Sequence, residues 1–259
     1  MIHRRMRNSF LSFFMALVLL SAAFAQEMAA LPDEQVTERL SFVQNALSSA
    51  QPGAKVWWYG WISAYSAGTI VQWSLAKAHW NDTKWDKSSP VPHKVRDRGF
   101  AEDMLVGGAT TALGIGGLLI DPFIPAYGPN KLRLMPEGTP EERRTKLLKA
   151  EELLRQCAQR EKDGRSWTTH LLNIGVNVAA GLATTAAFHR PWTDGLITFA
   201  AGEAVSLLNI YTQPRRAIRD LRNYEIRYRG RQDACIQEPS DRKWFFSVYP
   251  GGFSAGIRF

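Results

Sequence analysis

The pattern of apolar and polar positions is dominated by one paired feature. Residues 168 to 188 and 193 to 212 are mostly apolar and are joined by the short turn His189-Arg190-Pro191-Trp192. Each is about 20 residues long, enough to cross a bilayer core of roughly 30 Å, so they are predicted as two helices folded back on one another. Residues 103 to 120 are the most apolar segment after the N-terminus, with Met104, Leu105, Val106, Leu113, Ile115, Leu118, Leu119 and Ile120. Gly114, Gly116 and Gly117 would weaken such a helix in water and are better tolerated in lipid or at close helix contacts. Asp121-Pro122 ends it, and the proline-rich run to Pro140 reads as irregular. Residues 55 to 79 open on Trp57, Trp58, Tyr59 and Trp61, aromatics that suit a membrane-water interface. Ser63, Ser66, Thr69, Gln72, Ser74 and Lys77 make this the least hydrophobic of the four segments, so it either crosses, lies along an interface or packs in a bundle.

Three further stretches have the period of amphipathic helices. Residues 32 to 50 carry Val36, Leu40, Val43 and Leu47 on one face, and Gln51-Pro52-Gly53 is expected to stop the helix. Residues 140 to 162 carry Leu147, Ala150, Leu154 and Ala158 among alternating acids and bases. Residues 214 to 228 place Ala217, Leu221, Tyr224 and Tyr228 among many arginines. Residues 80 to 98 read as a polar loop. At the C-terminus the period changes to 2: Trp244 to Tyr249 and Phe253 to Phe259 flank Pro250-Gly251-Gly252, which predicts a β-hairpin. The alternation Phe253, Ala255, Ile257, Phe259 is similar to the closing strand of outer-membrane barrels, but a single hairpin cannot close a barrel.

The first 25 residues stand apart. His3, Arg4, Arg5 and Arg7 precede the apolar run Phe10 to Leu20, and Ala23-Phe24-Ala25 supplies a small-x-small cleavage pattern before Gln26. This is the pattern of a bacterial secretory signal peptide, with an uncleaved anchor as the alternative. Removing it takes three arginines and no acid, so the formal charge falls from +8 to +5. The remaining bases are interleaved with acids, which argues against nucleic-acid binding. Cys157 and Cys235 both follow the signal; in an oxidising compartment they are a candidate disulfide pair, with two free thiols as the alternative.

No sequence motif carries catalysis. Gly114-Ile115-Gly116-Gly117 lacks the lysine and spacing of nucleotide loops, no Gly-x-Ser-x-Gly elbow occurs, and the histidines have no metal-ligand spacing. Small residues recur at every fourth position: Gly60, Ala64, Gly68; Gly108, Ala112, Gly116; and Gly175, Ala179, Ala183, Ala187. Such ridges let helix backbones approach closely. Polar residues inside the apolar helices are the site candidates. Glu203 with Asn173, Asn177, Asn209 and His170 reads either as a small ligand or ion pocket, or as interhelical hydrogen bonding. Arg215, Arg216, Arg219 and Arg222 are candidates for lipid-headgroup contact, with plain solvation as the alternative.

The expectation is an all-α helical bundle with four long apolar helices, membrane-embedded or membrane-associated, plus a small C-terminal β-hairpin. Residues 1–25 are assigned to a signal peptide, 26–230 to the bundle and 231–259 to a tail. The predicted function is that of a non-enzymatic cell-envelope protein, in the inner membrane or else the periplasm, with membrane lipids and an envelope protein as partners. No cofactor, metal or nucleic acid is expected. A transport or ligand-binding module using Glu203 is the alternative. Topology sharpens the question: if all four segments cross, the ten Lys/Arg of residues 124 to 166 and the basic tail after 212 lie outside, against the positive-inside tendency. If residues 55 to 79 do not cross, both regions fall inside, the bias is obeyed and the two cysteines are reduced. The third solution is that nothing crosses.

Overall fold

The structure, a computed structural model, describes residues 31 to 228, residue 230, and the strand segments 244–249 and 252–257. Among these the protein is mostly helical, with small antiparallel strand pairs. The expected signal peptide, Arg229 and Cys235 lie outside the described residues.

The backbone of the fold is α1, a single helix over Asp33–His79. Its 47 residues make a rod about 70 Å long at 1.5 Å per residue. Pro32 precedes it, and Asp33 and Glu34 occupy the positive end of its dipole. The break expected at Gln51-Pro52-Gly53 does not occur, and the two predicted helices are one. Pro52 cannot donate to the preceding turn, but packing holds the helix through it. Gln51 is buried there and donates to the Ala126 carbonyl at 3.0 Å and to Asn130 Oδ1 at 3.0 Å, and it accepts from Arg133. Arg216 donates to the Ser49 carbonyl on the same turn.

After α1 comes an antiparallel hairpin, β1 (Thr83–Asp86) and β2 (His93–Arg96), within the stretch expected to be a plain loop. Trp85 pairs directly with Lys94, whose ammonium lies 5.7 Å from the indole ring, a contact absent from any apolar pattern. Then follow α2 (Gly99–Ile120), α3 (Ile124–Arg133), α4 (Pro140–Asp163) and α5 (Trp167–Leu182), a π-turn over 183–187, then α6 (Trp192–Thr212) and α7 (Arg216–Tyr228). Helix α3 occupies the run expected to be irregular, despite Pro125 and Pro129. Its Ala126, Gly128, Pro129 and Leu132 are buried, so tertiary packing outweighs poor helix propensity. Helix α4 opens with a full capping box between Thr139 and Glu142. The tail forms β3 (Trp244–Tyr249) and β4 (Gly252–Ile257), paired from Trp244↔Ile257 to Tyr249↔Gly252, as the alternation predicts.

Two regions share α1. The first half of α1 with α3, α4 and α7 forms a cap whose core is water-type: Val36, Leu40, Val43 and Leu47 meet Leu147, Leu154, Cys157, Leu132, Ala217 and Tyr224. The second half of α1 with α2, α5 and α6 forms an apolar half, and Ala54, Trp57, Leu118, Phe123 and Ala126 seal the junction. The four long apolar helices of the expectation are not confirmed among the described residues. Among the described residues one helical stretch, Gly99–Arg133, is long and apolar enough to cross a membrane, with a mean hydropathy of 1.5 in its best window. The segment 55 to 79 is part of α1 rather than a separate helix, and α5 and α6 are diluted by asparagine, threonine, serine and Glu203.

Candidate functional site

Helices α5 and α6 meet along small and polar side chains. A Cβ at Gly181 would sit 2.6 Å from the Gly195 carbonyl oxygen, so the two backbones touch where only glycine fits. One turn toward the cap, Asn177 is buried and its amide nitrogen donates to the Glu203 carboxylate at 2.9 Å and to the Ser206 hydroxyl at 3.1 Å. Gly202 makes room for it: a Cβ there would lie 2.3 Å from Asn177 Oδ1. On the other side of Gly181, the hydroxyls of Thr184 and Thr198 lie 3.3 Å apart. Glycine therefore sets the helix spacing, and hydrogen bonds above and below it fix the register.

The sequence-derived pocket is assembled only in part. Glu203 and Asn177 come together. Asn173 lies one turn away on the same helix, half-buried and without a side-chain hydrogen bond among the described residues. Asn209 sits at the cap end, where its carbonyl accepts from the Trp57 indole at 3.3 Å and its amide nitrogen is buried without a partner among the described residues. His170 packs near Tyr211, ring centroids 6.2 Å apart, beside the cap. The chemistry present around Glu203 is a carboxylate, an amide and a hydroxyl, a set that binds and orients but supplies no nucleophile with its base.

The arginines of α7 divide similarly. Arg216 pairs with Asp220 at 3.4 Å, the i,i+4 pair read from the sequence, and Arg219 lies 3.8 Å from the same carboxylate. Arg215 and Arg222 are exposed and make no ion pair among the described residues. Cys157 is fully buried in the cap core, where burial, with the nearby Glu161 carboxylate, pushes its thiol up to about 12. Its proposed disulfide partner Cys235 lies outside the described residues.

A buried carboxylate that the sequence reading passed over is Glu161. It continues the apolar stripe of α4 at i+3 from Ala158, and it is 1% exposed. Its carboxylate accepts the Ile218 N–H at 3.0 Å, capping the first turn of α7 from another helix. Burial pushes its pKa up to about 7, opposed by the Ile218 and Ala217 N–H groups and by Arg165, and assisted by Asp220. Beside it, buried Gln213 donates to the Glu161 carbonyl at 3.2 Å. Glu151 is similarly enclosed, accepting from the Tyr224 hydroxyl and from Arg155. Both carboxylates hold α7 onto α4. A charged residue on the apolar stripe was the available signal.

Among the described residues no group of three His, Cys, Asp or Glu side chains is placed to hold a metal ion. Neither a family model, nor a curated protein, nor a solved structure matches this chain.

Proposed function

We propose that the protein is a non-enzymatic membrane protein of the bacterial cell envelope, structural or interaction-forming in role, with its apolar half in the bilayer and its helical cap at the surface. The observation that carries this reading is the inverted polarity of the apolar half. Large apolar side chains point outward, with Leu172 67%, Ile197 68% and Ile70 67% exposed, while Asn177 at 4% and Thr184 at 1% are enclosed. In water that arrangement forfeits the hydrophobic effect along every outer face; in lipid it is the favourable one. The most apolar window of the stretch Gly99–Arg133 is 17% buried, unlike the core helix of a water-soluble domain.

Aromatic placement supports the same reading. Trp58, Trp61, Trp167 and Tyr211 lie at the cap end, and Trp80, Phe100 and Trp192 at the other. From Trp192 to Tyr211 along α6 is about 28 Å, close to the hydrocarbon thickness of a bilayer. Arg215, Arg219 and Arg222 on the cap are then set to meet anionic headgroups. The signal-like N-terminus supports export and an inner-membrane location. Alkaline carbonate washing of the membrane fraction tests the proposal: the protein stays in the pellet if it is embedded, and release would point instead to a periplasmic helical protein.

A second reading is a transport or binding module. It is favoured by one observation, that Glu203 is the one carboxylate near the middle of α6 among the described residues, with an amide and a hydroxyl beside it. Glu203→Leu separates the two readings. A folded variant that has lost uptake or binding supports the module, and a destabilised one supports interhelical glue.

A further inference from the structure

The two ends of the apolar half are level. At the cap end, the Trp57 and Trp61 indoles donate to Thr212 Oγ1 at 3.2 and 3.1 Å, Trp58 donates to the Leu118 carbonyl, and Arg165 donates to the carbonyls of Tyr211 and Gln213 at 2.9 and 2.7 Å. At the far end, Arg190 donates to the Gly99 carbonyl at 2.8 Å and pairs with Asp103 and Asp194, while His79 packs on the Phe100 ring. Midway, Thr69 and Thr111 hydroxyls meet at 2.9 Å, and Asn177 meets Glu203. Each of the stretches 57–79, 99–120, 167–187 and 192–212 thus runs between the same two levels.

We propose that the chain crosses the bilayer four times as two antiparallel pairs, so that the first half of α1, α3, α4 and α7 share one face of the membrane and the β1–β2 hairpin and the 188–191 turn share the other. This rests on the membrane reading above. Charge alone argues otherwise, since an odd number of crossings after an export signal would place the ten Lys/Arg of residues 124 to 166 inside. Hydropathy too singles out one stretch, Gly99–Arg133, among the described residues, but packing argues for its neighbours crossing with it. Keeping 57–79 out of the bilayer would strip α2 of its partner: Gly108 lies under the Trp73 indole, Gly107 against Gln72 and Gly114 against the Tyr65 ring. The bases of the cap already have local acids, Arg143 with Asp33, Lys146 with Glu137 and Arg160 with Asp121. The consequence is functional: the whole cap, with the α7 arginines, faces partners from the compartment that holds residue 33, and the far side presents, among the described residues, the β1–β2 hairpin and the 188–191 turn.

Single substitutions Thr37→Cys, Ser88→Cys, Lys149→Cys and His189→Cys, made in full-length Cys235→Ser protein, test this with a membrane-impermeant maleimide on intact and permeabilised cells. All four positions are exposed, and the parent with its buried Cys157 is the blank. The expected result is that Thr37→Cys and Lys149→Cys label from one side and Ser88→Cys and His189→Cys only from the other. Opposite sides for positions 37 and 149, or for positions 88 and 189, would overturn the four-crossing arrangement. One shared side for all four would also overturn it. In that last case the carbonate wash distinguishes the failures: a retained protein sinks only the crossing number, a released one sinks the membrane reading with it.

Discussion

Asn177 spends both hydrogens of its side-chain amide across the α5–α6 interface, 2.9 Å to Glu203 and 3.1 Å to Ser206. The amide is buried, so its removal leaves the Glu203 carboxylate without its amide donor as well as losing a contact. An unsatisfied buried polar group costs about 1–3 kcal/mol, and more when charged. Asn177→Ala should therefore lower the thermal midpoint in detergent, whereas Ser206→Ala, which removes only the weaker acceptor, should lower it less. Pairing Asn177→Ala with Glu203→Leu should cost less than the sum of the two, because the stranded carboxylate is gone. Equal effects of Asn177→Ala in the presence and absence of Glu203 would show that the pair does not couple.

Glycines on the same helices separate contact from mere composition. A side chain at Gly181 meets the backbone of Gly195 at 2.6 Å, which no rotamer change can relieve. Gly175, on the ridge read from the sequence, has nothing within 4 Å of a Cβ and faces outward. Gly181→Leu should force the helices apart and cost on the order of 1–3 kcal/mol or more. Gly175→Ala should be neutral or stabilise by roughly 0.5–1 kcal/mol through helix propensity. Thermal unfolding of the two variants side by side checks this, and a stable Gly181→Leu protein would refute the close approach.

That contrast shows how far the sequence could be read. The periodicity at Val36, Leu40, Val43 and Leu47 and at Leu147, Leu154 and Ala158 located the cap core, and the apolar run 193 to 212 located α6 to within a residue. The small-residue ridge was visible, but Gly175 and Gly181 look alike in a string of letters; which one meets a neighbour depends on helix rotation. Local rules failed where tertiary contacts outweighed them. Pro52 sits inside α1 because Gln51 and Arg216 tie that turn to α3 and α7, and α3 forms around Pro125 and Pro129 because Phe123 packs on Trp57, ring centroids 4.8 Å apart. Of the site residues, Glu203 and Asn177 were legible as polar letters in apolar helices. Asn209 and His170 were not separable from them, since distance along a helix does not tell which end of a neighbour lies alongside.

Cys157 should behave as an inert thiol in the native protein. It is enclosed by the cap core, lies beside Glu161, and has its thiol pushed up to about 12, so almost no thiolate exists at neutral pH. In Cys235→Ser protein a maleimide should react only after denaturation, with one equivalent incorporated. In the unaltered chain, non-reducing electrophoresis distinguishes a Cys157–Cys235 bond, which would give no label on denaturation until reductant is added. Rapid native labelling would mean that α4 and α7 open.

Glu161 should make the cap more stable in mild acid than in mild base. Its pKa is raised from 4.5 to about 7 in the folded protein, mainly by burial, so between these values the folded state holds a proton that the unfolded state releases. Stability contributed by this group is full below about pH 4.5 and is lost as pH rises through 7, by as much as about 3 kcal/mol. The charged form is not abandoned altogether, because the Ile218 N–H at the positive end of α7 still meets it at 3.0 Å. Glu161→Gln keeps an oxygen to accept that N–H and cannot ionise. Denaturant titrations of both proteins from pH 5 to 8.5 should show the parent losing stability across this range relative to the variant, with the gap largest at the alkaline end. Parallel curves would mean that Glu161 stays ionised in the fold and that the α4–α7 junction is held without titrating.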